Sequence, residues 1–306
     1  MMGIATSLVH RYAFLSRPAR LISLVTGVLL VGIGLFLVGT QAIAGMSWLA
    51  LGALLVVTAF VPLNRLALLG MTYAMALLAF MSLRGLADDL LPVHYSYVIE
   101  VERILFAGTL PSEWLQENIY ASGEIRSFDL AMGGVYFTHF INTHLVVLLI
   151  MITRRDVLPR FVAAFLVMLA GALLVHVMVP TAPPWLASET GKSDADVHRI
   201  VAELTTSVEG GTYMETAKDA DNNLFAAMPS LHAGFAALVA LVLIQYGRWQ
   251  AGLGTVYVVL MCISLTYLGE HYVIDELAGI ALAYGAWRVF APKMSYSRYG
   301  IYAAMN

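Results

Sequence analysis

The residues best suited to chemistry stand near the C-terminus. Pro229-Ser230-Leu231-His232 opens one apolar stretch, and Ser264, His271 and Asp275 lie around the start of another. Moving a phosphoryl group needs a nucleophile, an acid for the leaving oxygen, an orienting partner, and positive charge or N–H donors for the phosphate oxygens. His271 fits the nucleophile. Asp275, four residues on, is one helical turn away and can hold one imidazole nitrogen, leaving the other free. His232 fits the acid and base. Pro229 suits the first turn of a helix, and Ser230 adds a hydroxyl beside the free N–H groups there, a natural phosphate cradle. Taken singly, these signals have plainer readings: an interfacial histidine, or a structural His–Asp hydrogen bond. Their occurrence together, in order and at one membrane face, points to catalysis. Zinc bound by His232, His271 and Asp275 is the other chemical reading. No further ligand cluster accompanies them, so neither metal nor cofactor is expected.

What must position these residues is a membrane bundle. Of 306 residues, 60% are hydrophobic and 12% charged, and the mean hydropathy is +0.79. Soluble domains are about half apolar and about one-quarter charged. Several runs reach the roughly 20 residues a bilayer requires. A net charge of -3 carries no nucleic-acid footprint. The single cysteine, Cys262, excludes an intrachain disulfide. The expected fold is all-α, a polytopic helical bundle with about eight spans, at 22–40, 45–62, 66–83, 130–153, 161–179, 229–247, 252–269 and 272–291. The first is read as a retained helix, although Ala42-Ile43-Ala44 resembles a signal-peptide cleavage site.

Charge orients the bundle. With both termini in the cytoplasm, the inner segments carry Arg11, Arg17, Arg20, Arg65, Arg154, Arg155, Arg160, Arg248, Arg288, Lys293 and Arg298, and only one acid, Asp156. This obeys the positive-inside rule and puts His232 and His271 at the same outer depth. Two outer loops are long. Residues 84–129 hold Trp114 and an amphipathic pattern from Val98 to Ile119, read either as a solvated cap or as an interfacial helix. Residues 180–228 begin Pro180-Thr181-Ala182-Pro183-Pro184-Trp185 and read as a lid beside the site.

These motifs resemble the type 2 phosphatidic acid phosphatase (PAP2) superfamily, over roughly 130–291. Pro229–His232 matches its PSxH motif. Ser264 through His271 to Asp275 matches SRxxxxxHxxxD. The resemblance implies a metal-independent enzyme with a six-helix core, in which His271 is the nucleophile, Asp275 orients it and His232 is the acid and base. Two departures stand out. The Arg of the third motif is replaced by Leu265, and where a KxxxxxxRP motif would fall the chain has His176 and then Thr181–Trp185, with neither Lys nor Arg. Three phosphate-gripping cations are therefore missing. Arg84, at the outer end of the third span, is the first candidate to replace them, and His139 and His144 within the fourth span are candidate site or pathway residues. Ser230, Trp185 and Ser264 complete the expected substrate-binding set.

The pattern is most similar to the inositolphosphotransferase branch, which contains the inositol phosphorylceramide synthases. That implies transfer of a phosphoalcohol headgroup from a phospholipid to a lipid hydroxyl. The alternatives are a phosphatase acting on phosphatidate, phosphatidylglycerol phosphate or a polyprenyl diphosphate, and a non-catalytic lipid transporter or binding protein. The expected organisation is an N-terminal leader and extra hairpin over 1–64, a catalytic membrane domain over 65–291 and a cytoplasmic tail over 292–306, in a bacterial plasma membrane with the site facing outward. The partners implied are a phospholipid or lipid phosphate, a lipid alcohol as acceptor where a headgroup is transferred, and the membrane itself.

Overall fold

Long apolar runs bounded by arginines, glycines and prolines fold as helices, because a backbone surrounded by lipid must satisfy its own hydrogen bonds. The computed structural model describes residues 16–37, 42–60, 65–85, 91–209 and 223–290. Its helices are α1 (Arg17–Leu37), α2 (Ala42–Phe60), α3 (Arg65–Arg84), α4 (Ser96–Leu105), α5 (Pro111–Ile119), α6 (Ser127–Thr153), α7 (Leu158–Met178), α8 (Pro184–Glu189), α9 (Ile200–Glu209), α10 (Leu231–Leu243), α11 (Arg248–Tyr267) and α12 (Val273–Val289). Each of the eight expected spans coincides with one of these helices. Five of them, α1, α3, α6, α7 and α11, are long and apolar enough to cross a membrane, while α10 is a shorter apolar helix. The protein is an all-α polytopic membrane protein. The basic leader with Arg11 and the tail with Lys293 and Arg298 lie outside the described residues.

Two buried clusters hold the bundle together. Phe161, Phe165 and Met168 of α7 pack with Leu238 and Val242 of α10, Ala286 and Trp287 of α12, and Tyr73 and Phe80 of α3. Met132 and Tyr136 of α6 pack with Ile200 and Leu204 of α9, Ala233 of α10, and Met261 and Leu265 of α11. The outward faces are apolar too: Leu145, Leu148 and Ile152 on α6, and Leu253 and Val256 on α11, are exposed. In water such a surface would be a liability; against acyl chains it is the expected one. α1 and α2 form a hairpin against the bundle, tied by the Ser23 hydroxyl donating to the Leu55 carbonyl at 2.8 Å.

At one end of the bundle the loops become a cap. A single helix from Val98 to Ile119 would match the amphipathic pattern, but the chain instead makes two, α4 and α5. It turns through the left-handed region at Ala107 and Gly108, and Pro111 starts α5 where its missing N–H costs nothing. Val98 and Ile99 of α4 pack on Ala187, Val197 and Tyr272, while Ile104, Leu105, Phe106 and Trp114 stay exposed. His94, Thr181 and Ala226 join three loops through short parallel bridges. At the opposite end lie Arg65, Arg154, Arg155, Arg160, Arg248 and Arg288. Arg160 there sits 3.9 Å over the ring of Trp287 and donates to its carbonyl.

Candidate active site

α10 and α12 both begin at the capped end, and their first turns touch. The Ser230 N–H donates to the Asp275 carbonyl at 2.9 Å. This approach requires glycine at 279, since a Cβ there would meet the Ser230 carbonyl oxygen at 2.0 Å. The start of α10 differs from expectation. Ser230, not Pro229, is the boundary residue: its side-chain oxygen accepts the Ala233 N–H at 3.3 Å, so it serves as the N-cap and Pro229 stands before the helix. The Ser230 oxygen thus orders the helix that presents His232.

The contact between α10 and α12 brings the two histidines together. His232 Nδ1 lies 3.3 Å from His271 Nε2, and His271 Nδ1 lies 3.7 Å from Asp275 Oδ2. The second distance is long for a hydrogen bond and within the reach of an ion pair. Asp275 is fully buried, and its Oδ2 also accepts the Tyr272 N–H at 3.0 Å, which fixes the carboxylate at the start of α12. If His271 carries its proton on Nδ1, toward the carboxylate, then Nε2 has the lone pair and His232 Nδ1–H is the donor in the resting contact. The lone pair suits a nucleophile, and the donated proton is the one a leaving oxygen would take. His271 is 6% exposed, so water reaches it poorly.

α6 supplies the wall behind His232. Tyr136 stacks on it with centroids 5.0 Å apart, and His139 lies 4.1 Å away, itself stacked on Phe235 at 5.0 Å. This column holds the His232 ring. The Nδ1 of His139 and the Nε2 of His232 are buried without a hydrogen-bond partner, and with the His232 proton on Nδ1 its Nε2 can accept from a substrate hydroxyl. His144 points elsewhere, because five residues turn a helix by about 140° away from His139. Its Nδ1 bonds the Tyr73 hydroxyl at 2.8 Å, joining α6 to α3.

Arg84 ends α3 at the capped end. Its Nη2 donates to the Asn223 carbonyl at 2.9 Å, and Asn223 Nδ2 donates back to the Arg84 carbonyl at 2.9 Å. Its charge is close enough to act on His139, His176 and His232. His176 is buried at the end of α7, with Nε2 3.4 Å from the Pro229 carbonyl. Leu265, at the motif position of a missing Arg, is fully buried in the apolar cluster around α11. Ser264 donates its hydroxyl to the Met132 carbonyl at 2.7 Å and so joins α11 to α6. Trp185 lies under the Arg199 guanidinium at 4.3 Å, and Arg199 pairs with Glu270 at 2.8 Å, on the cap side of the loop leading to His271. Among the described residues, no group of three or more His, Cys, Asp or Glu side chains is arranged to hold a metal ion.

Sequence reasoning missed Tyr136 and Glu102. Tyr136 sits one turn before His139 and Phe140 and reads only as part of an apolar span. Glu102 carried a signal: it stands on the same helical face as Val98 and Ile99, an acid where the pattern calls for an apolar residue.

Residues 97–289 match the PAP2 superfamily. The chain is 26% identical to the phosphoinositol dihydroceramide synthase of Bacteroides thetaiotaomicron over 84% of its length and 88% of the relative's. It is 30% identical to the inositol phosphorylceramide synthase catalytic subunit of Schizosaccharomyces pombe over 45% of this chain and 33% of that one. A 61-residue stretch, 17% of this chain and 14% of the other, is 41% identical to rat sphingosine-1-phosphate phosphatase 1. No solved structure matches.

Proposed function

We propose that this chain, which belongs to the PAP2 superfamily, moves a phosphoalcohol headgroup, of the inositol phosphate type, from a phospholipid to the hydroxyl of a ceramide-like lipid. Its class, a membrane-embedded lipid phosphotransferase or phosphatase, follows from that membership. The choice of transfer over hydrolysis rests chiefly on one observation: the site lacks cations where the superfamily's phosphatases have them. Leu265 is buried in the apolar core and His176 stands where the first motif would fall. A phosphodiester carries one negative charge, a monoester nearly two, so the diester needs fewer counter-charges. The resemblance to a bacterial synthase over most of both chains supports the same acceptor class and a bacterial membrane.

The proposed chemistry runs in two steps. His271 Nε2 attacks phosphorus, the bond to the glycerolipid oxygen breaks, and that oxygen takes the proton from His232 Nδ1. Asp275 holds Nδ1–H and stabilises the positive charge that forms on the phosphorylated ring. The acceptor hydroxyl then gives its proton to His232 Nδ1 and attacks phosphorus, and the N–P bond breaks. The resting 3.3 Å contact leaves no room for a phosphoryl group, so substrate must part the two imidazoles as it binds. With the arginine-rich end of the bundle in the cytoplasm, this site faces outward.

The test is purified protein in vesicles containing phosphatidylinositol and a fluorescent ceramide, with EDTA present. New headgroup-bearing lipid, matched by diacylglycerol and without free phosphate or inositol phosphate, is the expected product. Release of phosphate or inositol phosphate alone would make the enzyme a hydrolase, in keeping with its short likeness to a phosphatase.

Arg84 is the proposed counter-charge for the diester. Arg84→Gln should lower kcat/KM for the donor by about 10- to 100-fold, the worth of one charge-assisted hydrogen bond, and Arg84→Lys should recover part of it. A Gln variant with unchanged kcat/KM and unchanged melting would remove Arg84 from the site.

A further inference from the structure

The reaction as proposed uses His232 of α10, Asp275 of α12 and His271 just before α12, yet the first turn of α12 is gripped from outside by a residue it leaves unused. Glu102, on cap helix α4, is fully buried, and its Oε1 accepts the Ile274 N–H at 3.1 Å. That N–H is among the donors that a helix cannot satisfy internally at its N-terminus. Ile274 lies between His271 and Asp275, so two carboxylates share one helical turn: Asp275 takes the N–H of Tyr272 and Glu102 that of Ile274. Glu102 Oε2 is buried and unpartnered, as is the hydroxyl of Tyr272. A buried carboxyl with half its acceptors idle is costly for stability, and cap packing by Val98 and Ile99 does not require it.

We infer that Glu102 is a positioning residue: it fixes the first turn of α12 against the cap, and so sets the His271–Asp275 pair in the geometry that the reaction uses. This rests on the reading of His271 and Asp275 given above. Glu102 does not touch the reacting atoms; it acts through the backbone that carries them.

The grip depends on charge. Burial, with a smaller contribution from Asp275, pushes the Glu102 carboxyl from its ordinary 4.5 up to about 7, against the pull of the Ile274 and Val273 N–H groups. Glu276 and Tyr272, from α12 and its approach, feel the Glu102 charge, and Arg103 and Tyr97 of α4 act on the same Tyr272; Arg103 is engaged by Asp194. A carboxyl raised in this way contributes most to stability below its unfolded value and loses that contribution as pH rises through about 7. Ionised Glu102 instead favours function. It accepts more strongly from Ile274 and adds negative charge beside a ring that becomes positive when phosphorylated.

Three proteins test this: wild type, Glu102→Gln and Glu102→Ala, each purified in lipid and followed by headgroup transfer and thermal melting from about pH 5 to 9. Glu102→Ala should lose about 10- to 100-fold in kcat with KM little changed, because misplacing a reacting pair costs rate more than binding. Glu102→Gln keeps an acceptor oxygen and should recover most of that rate. It should also flatten the rise of kcat around pH 7 and melt higher than wild type above pH 7, but not near pH 5. Should Ala not fold, the Gln profile decides alone. A Gln variant with the wild-type pH dependence of both rate and melting, or a folded Ala variant with wild-type kcat, would overturn the inference. Loss of activity in His271→Ala together with either of those results would sink Glu102 and leave the site itself standing.

Discussion

Replacing His271 with alanine should abolish turnover, by about 10³- to 10⁶-fold in kcat, the range seen when a covalent nucleophile is removed. No neighbour can take over. His232 Nδ1, 3.3 Å away, has no carboxylate behind it, whereas His271 has Asp275 at 3.7 Å. The effect should lie in kcat, since the headgroup and lipid tails would still bind. A trapping experiment makes the case chemical. With radiolabelled phosphatidylinositol and no acceptor lipid, the wild-type chain should hold label that is acid-labile and base-stable, as phosphohistidine is, and His271→Ala should hold none. Label of the same lability in the variant, or turnover within tenfold of wild type, would place the nucleophile elsewhere.

Loss of His232 should cost less, about 10²- to 10⁴-fold, the worth of a positioned general acid and base. His232→Gln is the suitable change. It retains a polar side chain against Tyr136 and His139, whose stacking would leave a cavity beside alanine. The distinguishing result uses the leaving group. A donor with an activated aryl oxygen needs no acid for bond breaking, so its first step should proceed at nearly the wild-type rate in His232→Gln. The acceptor step, which still needs a base, should remain slow. Label on His271 should then accumulate where in the wild type it turns over. An equal rate loss for activated and natural donors would show that His232 orders the site rather than moving a proton.

Much of this arrangement is legible in the amino-acid sequence. Helix positions followed from apolar run length, because lipid offers the backbone no other partner. The pairing of His271 with Asp275 was expected from a four-residue spacing along one helix, but His271 stands just before the N-cap Tyr272, and it is the extended approach to α12 that brings its Nδ1 to 3.7 Å from Asp275. The meeting of His232 with His271 could be anticipated, since both stand at the start of helices from the same side of the bundle. What could not be read was the fate of polar side chains whose partners are distant in sequence. Ser264 is spent on the Met132 carbonyl and His144 on Tyr73, and Arg84 is joined to Asn223. Sequence lists a hydroxyl or a guanidinium as available; packing decides whether it is already engaged. The amphipathic stretch after Val98 was visible as a cap or an interfacial helix, but its break at Ala107 and Gly108 into two helices was not.

By itself, then, the sequence determined the class: helices that must lie in lipid, with a histidine, a second histidine and an aspartate at their ends. Local spacing and hydrophobic run length are one-dimensional quantities, and they suffice for this. Tertiary structure decided the distances. The 2.9 Å bond from Ser230 to Asp275, the close approach allowed by Gly279, and the reach of Glu102 from the cap to Ile274 all join segments far apart in the chain. No local propensity encodes such contacts, because each depends on how two separately formed helices pack.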